Sequence, residues 1–158
     1  MVSVVAGDRG LTRCAAPRFE ERRRSLMLGM KEIKISSSTP NPADDCIEAC
    51  TWAELACLAC AEMCLNDLAD EELSLCVQLS LDCAEMCWTT RKFVTDALVV
   101  APQLVREQLE QCALSCAACA AECRRQAATV RELASCEQTC SRCERLCRSM
   151  QLRVAALD

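Results

Sequence analysis

The chain has 158 residues, a net charge of −5 and neither histidine nor tyrosine, and 17 of its residues are cysteine. The acidic balance gives a nucleic-acid role little electrostatic support, and the absence of a run of about 18 apolar residues argues against a membrane span. Histidine is the usual general base and the commonest partner of a nucleophilic cysteine. Its absence argues against cysteine-protease or zinc-hydrolase chemistry, and we expect a protein that is not an enzyme.

Residues 1–44 differ in composition from the rest and are predicted to be an N-terminal extension, largely flexible or forming a short docked helix over 18–34. Three arginines at 22–24 resemble the start of a twin-arginine export signal. Charged residues at 31–34 interrupt the apolar stretch that such a signal requires. We therefore expect a cytosolic protein, whose thiols stay reduced. Cys14 lies in this extension and is predicted to be unrelated to the core.

Residues 45–158 are predicted to form one domain. Asp44 and Asp45 are candidate N-caps of its first helix. The four helices are expected over residues 45–64, 71–98, 102–127 and 129–155. Short connections make consecutive helices antiparallel. The predicted fold is therefore all-α, an antiparallel up-down-up-down four-helix bundle.

Sixteen of the cysteines recur at intervals of three, four and seven residues, which aligns side chains along one face of a helix. The last two helices each carry C-x3-C-x2-C-x3-C, and the first two carry the same pattern with Ala53 and Ser80 in place of a cysteine. All sixteen fall on heptad positions a and d, which predicts a cysteine-lined core. They are Cys46, Cys50, Cys57, Cys60, Cys64, Cys76, Cys83, Cys87, Cys112, Cys116, Cys119, Cys123, Cys136, Cys140, Cys143 and Cys147.

Three roles are open to so many buried thiols. Free cysteine packs as a small hydrophobe, which explains one or two cysteines but not sixteen on four helices. Disulfides between neighbouring turns of one helix would constrain almost nothing, although pairs across helices would pin the bundle. Metal binding by thiolates accounts for the pattern best.

The choice of metal depends on charge. Zinc in a four-thiolate site leaves a charge of about −2, so four such sites would confine about −8 to a narrow core. Iron–sulfur clusters meet a similar problem, and the spacing differs from the ferredoxin C-x2-C-x2-C-x3-C run. Cu(I) is soft, monovalent and prefers thiolate ligands. One Cu(I) per thiolate is electrically neutral, so this stoichiometry fills the axis without uncompensated charge.

The C-x3-C-x2-C-x3-C helices, with CAEMC at 60–64 and 83–87 and CAAEC at 119–123, resemble the copper storage protein family over residues 45–155. The resemblance implies a cysteine-lined four-helix bundle that sequesters many Cu(I) ions, with the sixteen core cysteines as ligands. Members are commonly tetrameric, which implies a homo-oligomer. Many relatives carry histidine near the copper entrance, and this chain has none. An acidic chain without basic patches can exchange copper with a copper chaperone or small thiols.

The two ends of the predicted bundle differ. One gathers an apolar plug, namely Val94, Leu98, Leu104, Val105, Leu109, Met150 and Val154. The opposite end, which we call the mouth, gathers Cys64, Cys76, Cys123 and Cys136, and we expect copper to enter there. Glu62, Glu85 and Glu122 are expected to form a solvated face.

Two other functions stay open at this point. One is an electron carrier or enzyme that holds iron–sulfur clusters, and the other is a redox interaction protein switched by disulfides. The first would be brown, whereas a copper–thiolate core is colourless in visible light.

Overall fold

The structure is a computed structural model that describes residues 41–67, 73–127, 130–131 and 133–156. Its four helices are α1 (Pro42–Asp67), α2 (Ser74–Asp96), α3 (Pro102–Gln126) and α4 (Leu133–Ala155). Over the described ranges there is no strand, and none of these four helices has the length and apolarity needed to cross a membrane. The predicted all-α class is confirmed. Cys14 and the predicted helix over 18–34 lie outside the described residues.

The cap of α1 differs from the prediction. Asn41 Oδ1 accepts a hydrogen bond from the backbone N–H of Ala43 at 3.1 Å, which is the bond that an N-cap side chain makes. Pro42 suits the first helical position because its missing N–H would have no partner there. Asp44 and Asp45 lie in the first turn instead, where their charge interacts favourably with the helix dipole. Their prediction as N-caps was wrong.

The four helices surround one axis, and each contacts two neighbours: α1 packs beside α2 and α4, and α3 packs beside the same two. Late in α1, Cys60 Sγ lies 3.9 Å from Cys76 Sγ, early in α2. At the start of α1, Cys46 Sγ lies 3.9 Å from Cys147 Sγ, near the end of α4. Between α2 and α3, Cys76 near the start of α2 pairs with Cys123 near the end of α3, whereas Cys87, later in α2, pairs with Cys112, earlier in α3. Neighbouring helices therefore run antiparallel, as predicted.

Aliphatic side chains are concentrated at the two ends of the bundle. The buried residues of the predicted plug are Val94, Val105, Leu109, Met150 and Val154. Leu98 is only half-buried and Leu104 is 54% exposed, so including Leu104 in the plug was wrong. Its position one residue before the buried Val105 turns it to the outside of α3. At the other end, Leu73, Val130 and Leu133 are buried.

Between these ends, the interior consists mainly of cysteine and alanine. Buried alanines accompany the thiols on the first three helices, and they are Ala49, Ala53, Ala61, Ala84, Ala113 and Ala120. A methyl group lets helices approach closely and carries a high helix propensity. The bundle therefore holds a column of sulfur along its axis, with aliphatic side chains at both ends.

Candidate metal centre

The structure buries all sixteen cysteines that the sequence places on the a and d positions. Their exposed fraction is 4% or less, and all sixteen are free thiols. Because the intervals of three and four residues keep the cysteines on one face of each helix, four helices bring four rows of sulfur to one axis. The predicted cysteine-lined core is confirmed, whereas the role of each cysteine as a ligand stays a prediction.

The sulfurs are close enough to share metal ions. Cys57 Sγ lies 3.4 Å from Cys140 Sγ and 3.8 Å from Cys119 Sγ. With a metal–sulfur bond of about 2.3 Å, two sulfurs on one ion lie about 3.8 Å apart in tetrahedral and about 4.6 Å apart in linear geometry. The separations in the core therefore suit thiolate ligands of one ion. The donors are sulfur, which selects a soft metal such as Cu(I).

Five groups of three or four cysteines have sulfurs that all lie within 4.8 Å of one another. Three groups have four members: Cys50, Cys112, Cys143 and Cys147; Cys87, Cys112, Cys116 and Cys143; and Cys57, Cys119, Cys136 and Cys140. Two groups have three members: Cys60, Cys123 and Cys136; and Cys60, Cys64 and Cys76. Each group draws on at least two helices, so a bound ion would join helices together.

Ser80 occupies a position where the repeat would place a cysteine. It is fully buried, and its hydroxyl donates a hydrogen bond to Cys60 Sγ at 3.4 Å and lies 3.7 Å from Cys119 Sγ. Oxygen is a harder ligand than sulfur and holds Cu(I) poorly. The sulfur row of α2 is therefore interrupted at this level by a polar group that the neighbouring thiols satisfy.

The thiols of the core differ in acidity. Burial raises the pKa of Cys64 from the ordinary 9.0 to about 11, because the thiolate is desolvated and the Cys60 thiolate repels it. Hydrogen bonds have the opposite effect on Cys60, whose pKa is lowered by Cys123, Cys136 and Cys76. The Cys64 thiol is protonated at neutral pH, so it must release its proton to bind a metal.

The predicted mouth thiols, Cys64, Cys76, Cys123 and Cys136, do lie at one end of the bundle, where Cys76 Sγ is 4.0 Å from Cys123 Sγ. Their exposed fractions are no more than 3%. Leu73, Val130 and Leu133 are buried at the same end. The mouth thiols are therefore buried rather than open to solvent.

Two buried carboxylates lie next to the sulfur column. Glu54, which the sequence analysis did not single out, is fully buried and accepts a hydrogen bond from Arg91 Nη2 at 3.3 Å. Glu122 was expected on a solvated face but is only 7% exposed. It accepts hydrogen bonds from Arg125 at 2.6 and 3.0 Å, and Arg125 lowers the pKa of Glu122. Its spacing of three residues from Arg125 is the signal that would have found the pair.

The two methionines of the CAEMC repeats lie outside the sulfur column. Met63 is half-buried, and Met86 Sδ accepts a hydrogen bond from Gln108 Nε2 at 3.0 Å. Gln108 Nε2 also donates to the hydroxyl of the buried Thr90 at 3.0 Å. Met86 thus takes part in packing between α2 and α3 rather than in the column.

Residues 39–152 match the family model described as copper storage protein. The chain belongs to the copper storage protein family. Among solved structures, it is similar to a cytosolic copper storage protein from Streptomyces lividans with five coppers, at 32% identity over 70% of this chain and 92% of that chain, with a TM-score of 0.67. No curated protein matches the sequence.

Two further structures of the family show the same likeness. A copper storage protein from S. lividans loaded with 10 copper equivalents is 29% identical over 81% of this chain and 96% of that chain, with a TM-score of 0.69. Apo copper storage protein 3 from Bacillus subtilis is 33% identical over 69% of this chain and 98% of that chain, with a TM-score of 0.59. The match therefore covers nearly the whole of each relative.

The raised pKa of Cys64 predicts how the stability of the metal-free protein depends on pH. Because folding holds the Cys64 proton more tightly, this contribution is complete below pH 9.0 and is lost as pH rises toward about 11. Cys64→Ser removes the ionisation with little change in size. We expect the free energy of unfolding of the reduced apo protein to fall less over this range in the variant than in the wild type. Urea titrations at several pH values measure this, and parallel pH profiles would contradict it.

Proposed function

We propose that this protein is a cytosolic store of Cu(I), which it sequesters through thiolates that line the bundle core. The observation that supports the proposal best is the column of sixteen buried free cysteines, many of them in groups whose sulfurs lie within 4.8 Å of one another. A column of this length exceeds what one catalytic or structural ion requires. Membership of the copper storage protein family supports the same metal and the same role.

The ligands in this proposal are the sixteen core cysteines, and the protein is not an enzyme. Storage needs only that the thiolates bind ions and release them, and the neutral pair of one Cu(I) and one thiolate carries no charge into the dry core. Domain 45–158 is the binding domain, and residues 1–44 are an extension outside it. Copper is exchanged with small thiols or a copper chaperone, and the protein assembles as a homo-oligomer.

The iron–sulfur and disulfide-switch alternatives are less well supported. The cysteine groups share members along the axis, which suits a continuous row of ions better than separate four-cysteine clusters. Disulfides would need pairs of sulfurs to approach to about 2.05 Å, and any such pair would remove two ligands from the column. Neither alternative explains why the thiols continue over four helices.

The stoichiometry tests the function directly. Because neutrality requires one Cu(I) for each thiolate, we expect the reduced protein to bind on the order of 16 Cu(I) per chain. An anaerobic titration against a competing Cu(I) chelator measures this number, and a pH indicator in the same experiment follows the protons that the thiols release. Saturation near four ions would contradict the proposal and favour four-thiolate sites.

The direction of copper uptake is tested with two matched quadruple variants. One replaces the mouth thiols with serine, and the other replaces four thiols beside the plug, namely Cys46, Cys87, Cys112 and Cys147. Since oxygen binds Cu(I) poorly, both variants should lose about four ions of capacity. We expect only the mouth variant to take up its first copper more slowly than the wild type in stopped-flow experiments. Equal initial rates in the two variants would contradict uptake through the mouth.

A further inference from the structure

The five cysteine groups of the core fall into two sets that share no cysteine. The inner set, toward the plug, contains Cys50, Cys87, Cys112, Cys116, Cys143 and Cys147, and its two groups share Cys112 and Cys143. The outer set, toward the mouth, contains Cys57, Cys60, Cys64, Cys76, Cys119, Cys123, Cys136 and Cys140, and its three groups are joined through Cys60 and Cys136. Shared cysteines therefore link the groups within each set, whereas no cysteine belongs to groups of both sets.

Two core cysteines belong to neither set. Cys46 lies at the plug end of the inner set, where its sulfur is 3.9 Å from that of Cys147. Cys83 lies between the sets, with its sulfur 3.7 Å from that of Cys116 in the inner set. Along α2 it lies between Ser80, whose hydroxyl contacts Cys60 and Cys119 of the outer set, and Cys87 of the inner set. Its thiol also has hydrogen-bond partners in the outer set, at Cys119, Cys140 and Cys57. In the part of the chain that the structure describes, Cys83 is the thiol that faces both sets.

The break between the sets has a cause in the sequence. The cysteine repeat of α1 is interrupted at Ala53, between Cys50 of the inner set and Cys57 of the outer set. Ala53 is fully buried, so α1 presents a methyl group to the core where a thiol would have joined the two sets. Ser80 interrupts α2 within the outer set instead, between Cys60 and Cys119. Only the gap at Ala53 coincides with the boundary.

From this arrangement we infer that Cys83 is the thiol through which Cu(I) passes between the outer and inner sets. The inference rests on the proposed function, because it concerns how copper moves within the store. A Cu(I) ion moves along a dry core by exchanging one thiolate for the next, and the ion is never released as a free charge. The bond to the incoming sulfur forms as the bond to the outgoing sulfur breaks, and the incoming thiol passes its proton to the outgoing thiolate. Copper stays Cu(I) throughout, so no oxidant or reductant is needed.

The test compares Cys83→Ser with Cys46→Ser. Both changes replace one fully buried thiol outside the two sets with a hydroxyl of similar size, so both should lower the capacity by about one ion. Only Cys83→Ser removes the link. Anaerobic stopped-flow mixing with a Cu(I) chelate follows the ultraviolet absorption of the copper–thiolate bonds, and native mass spectrometry of half-loaded protein counts the ions in each molecule.

We expect Cys46→Ser to load in one phase at the wild-type rate, up to its lower capacity. Cys83→Ser should load in two phases. One set should fill at the wild-type rate, and the other should fill more slowly by a factor of about ten or greater. A factor of ten corresponds to about 1.4 kcal/mol on the barrier. Half-loaded Cys83→Ser should accumulate a species whose copper number matches one filled set. Kinetics shared by Cys83→Ser and Cys46→Ser would overturn the inference while leaving storage intact. A wild type that binds no copper would overturn both.

A second variant adds a thiol at the boundary. Ala53→Cys in the Cys83→Ser background should restore single-phase loading, because it supplies a thiol on α1 at the level of the gap. Ala53→Cys alone should speed the loading of the whole core in the wild-type background, because it adds a second route across the boundary. This keeps the inference testable if circular dichroism shows that Cys83→Ser does not fold. Unchanged filling in the Ala53→Cys protein would overturn the inference.

Discussion

Electrical neutrality in a narrow, dry core is the constraint on which the rest of this structure depends. Sixteen thiols fill the space that aliphatic side chains occupy in most bundles, and water does not reach them. Isolated thiolates would be costly in such surroundings. The column is stable either with protons or with an equal number of monovalent soft cations, so copper and protons must exchange almost one for one. Divalent ions in four-thiolate sites would leave negative charge along the axis.

The fold meets this constraint by separating the residues that hold the bundle together from the residues that bind. Aliphatic side chains are concentrated at the two ends, whereas alanine accompanies cysteine between them. Protonated cysteine packs as a small hydrophobe, so the apo column still contributes to burial. The buried pairs Glu54–Arg91 and Glu122–Arg125 keep carboxylates beside the column compensated by guanidinium groups. These ion pairs add no net charge near the sulfurs.

Most of the fold and the position of every core cysteine followed from periodicity, because intervals of three and four residues leave a helix no other way to bury its thiols. The error at the start of α1 arose where periodicity carries no information. Asn41 and Pro42 cap α1 in place of Asp44 and Asp45, since several polar residues near a helix start compete for the cap. Leu104 faces outward although it is apolar, because its neighbour Val105 holds the inward position.

The remaining differences have several causes. The buried Glu122 carboxylate accepts hydrogen bonds from Arg125 and Gln126, three and four residues along the same helix, so the helical spacing of these residues indicates the pairing although a count of charges does not. The mouth thiols are buried, and so are residues outside the cysteine repeat at the same end, such as Leu133. The division of the column into two sets depends on distances between sulfurs on different helices. The sequence showed the gap at Ala53 but not that Cys83 lies across it.

X-ray absorption at the copper edge of the fully loaded, anaerobic protein tests the central claim most directly. If neutral copper–thiolate pairs fill the core, the edge should be that of Cu(I), and the first shell should contain sulfur alone, at about the 2.3 Å of metal–thiolate bonds. The spectrum should also contain scattering from neighbouring copper ions beyond the sulfur shell. A first shell of nitrogen or oxygen ligands, or an edge of Cu(II), would contradict the account.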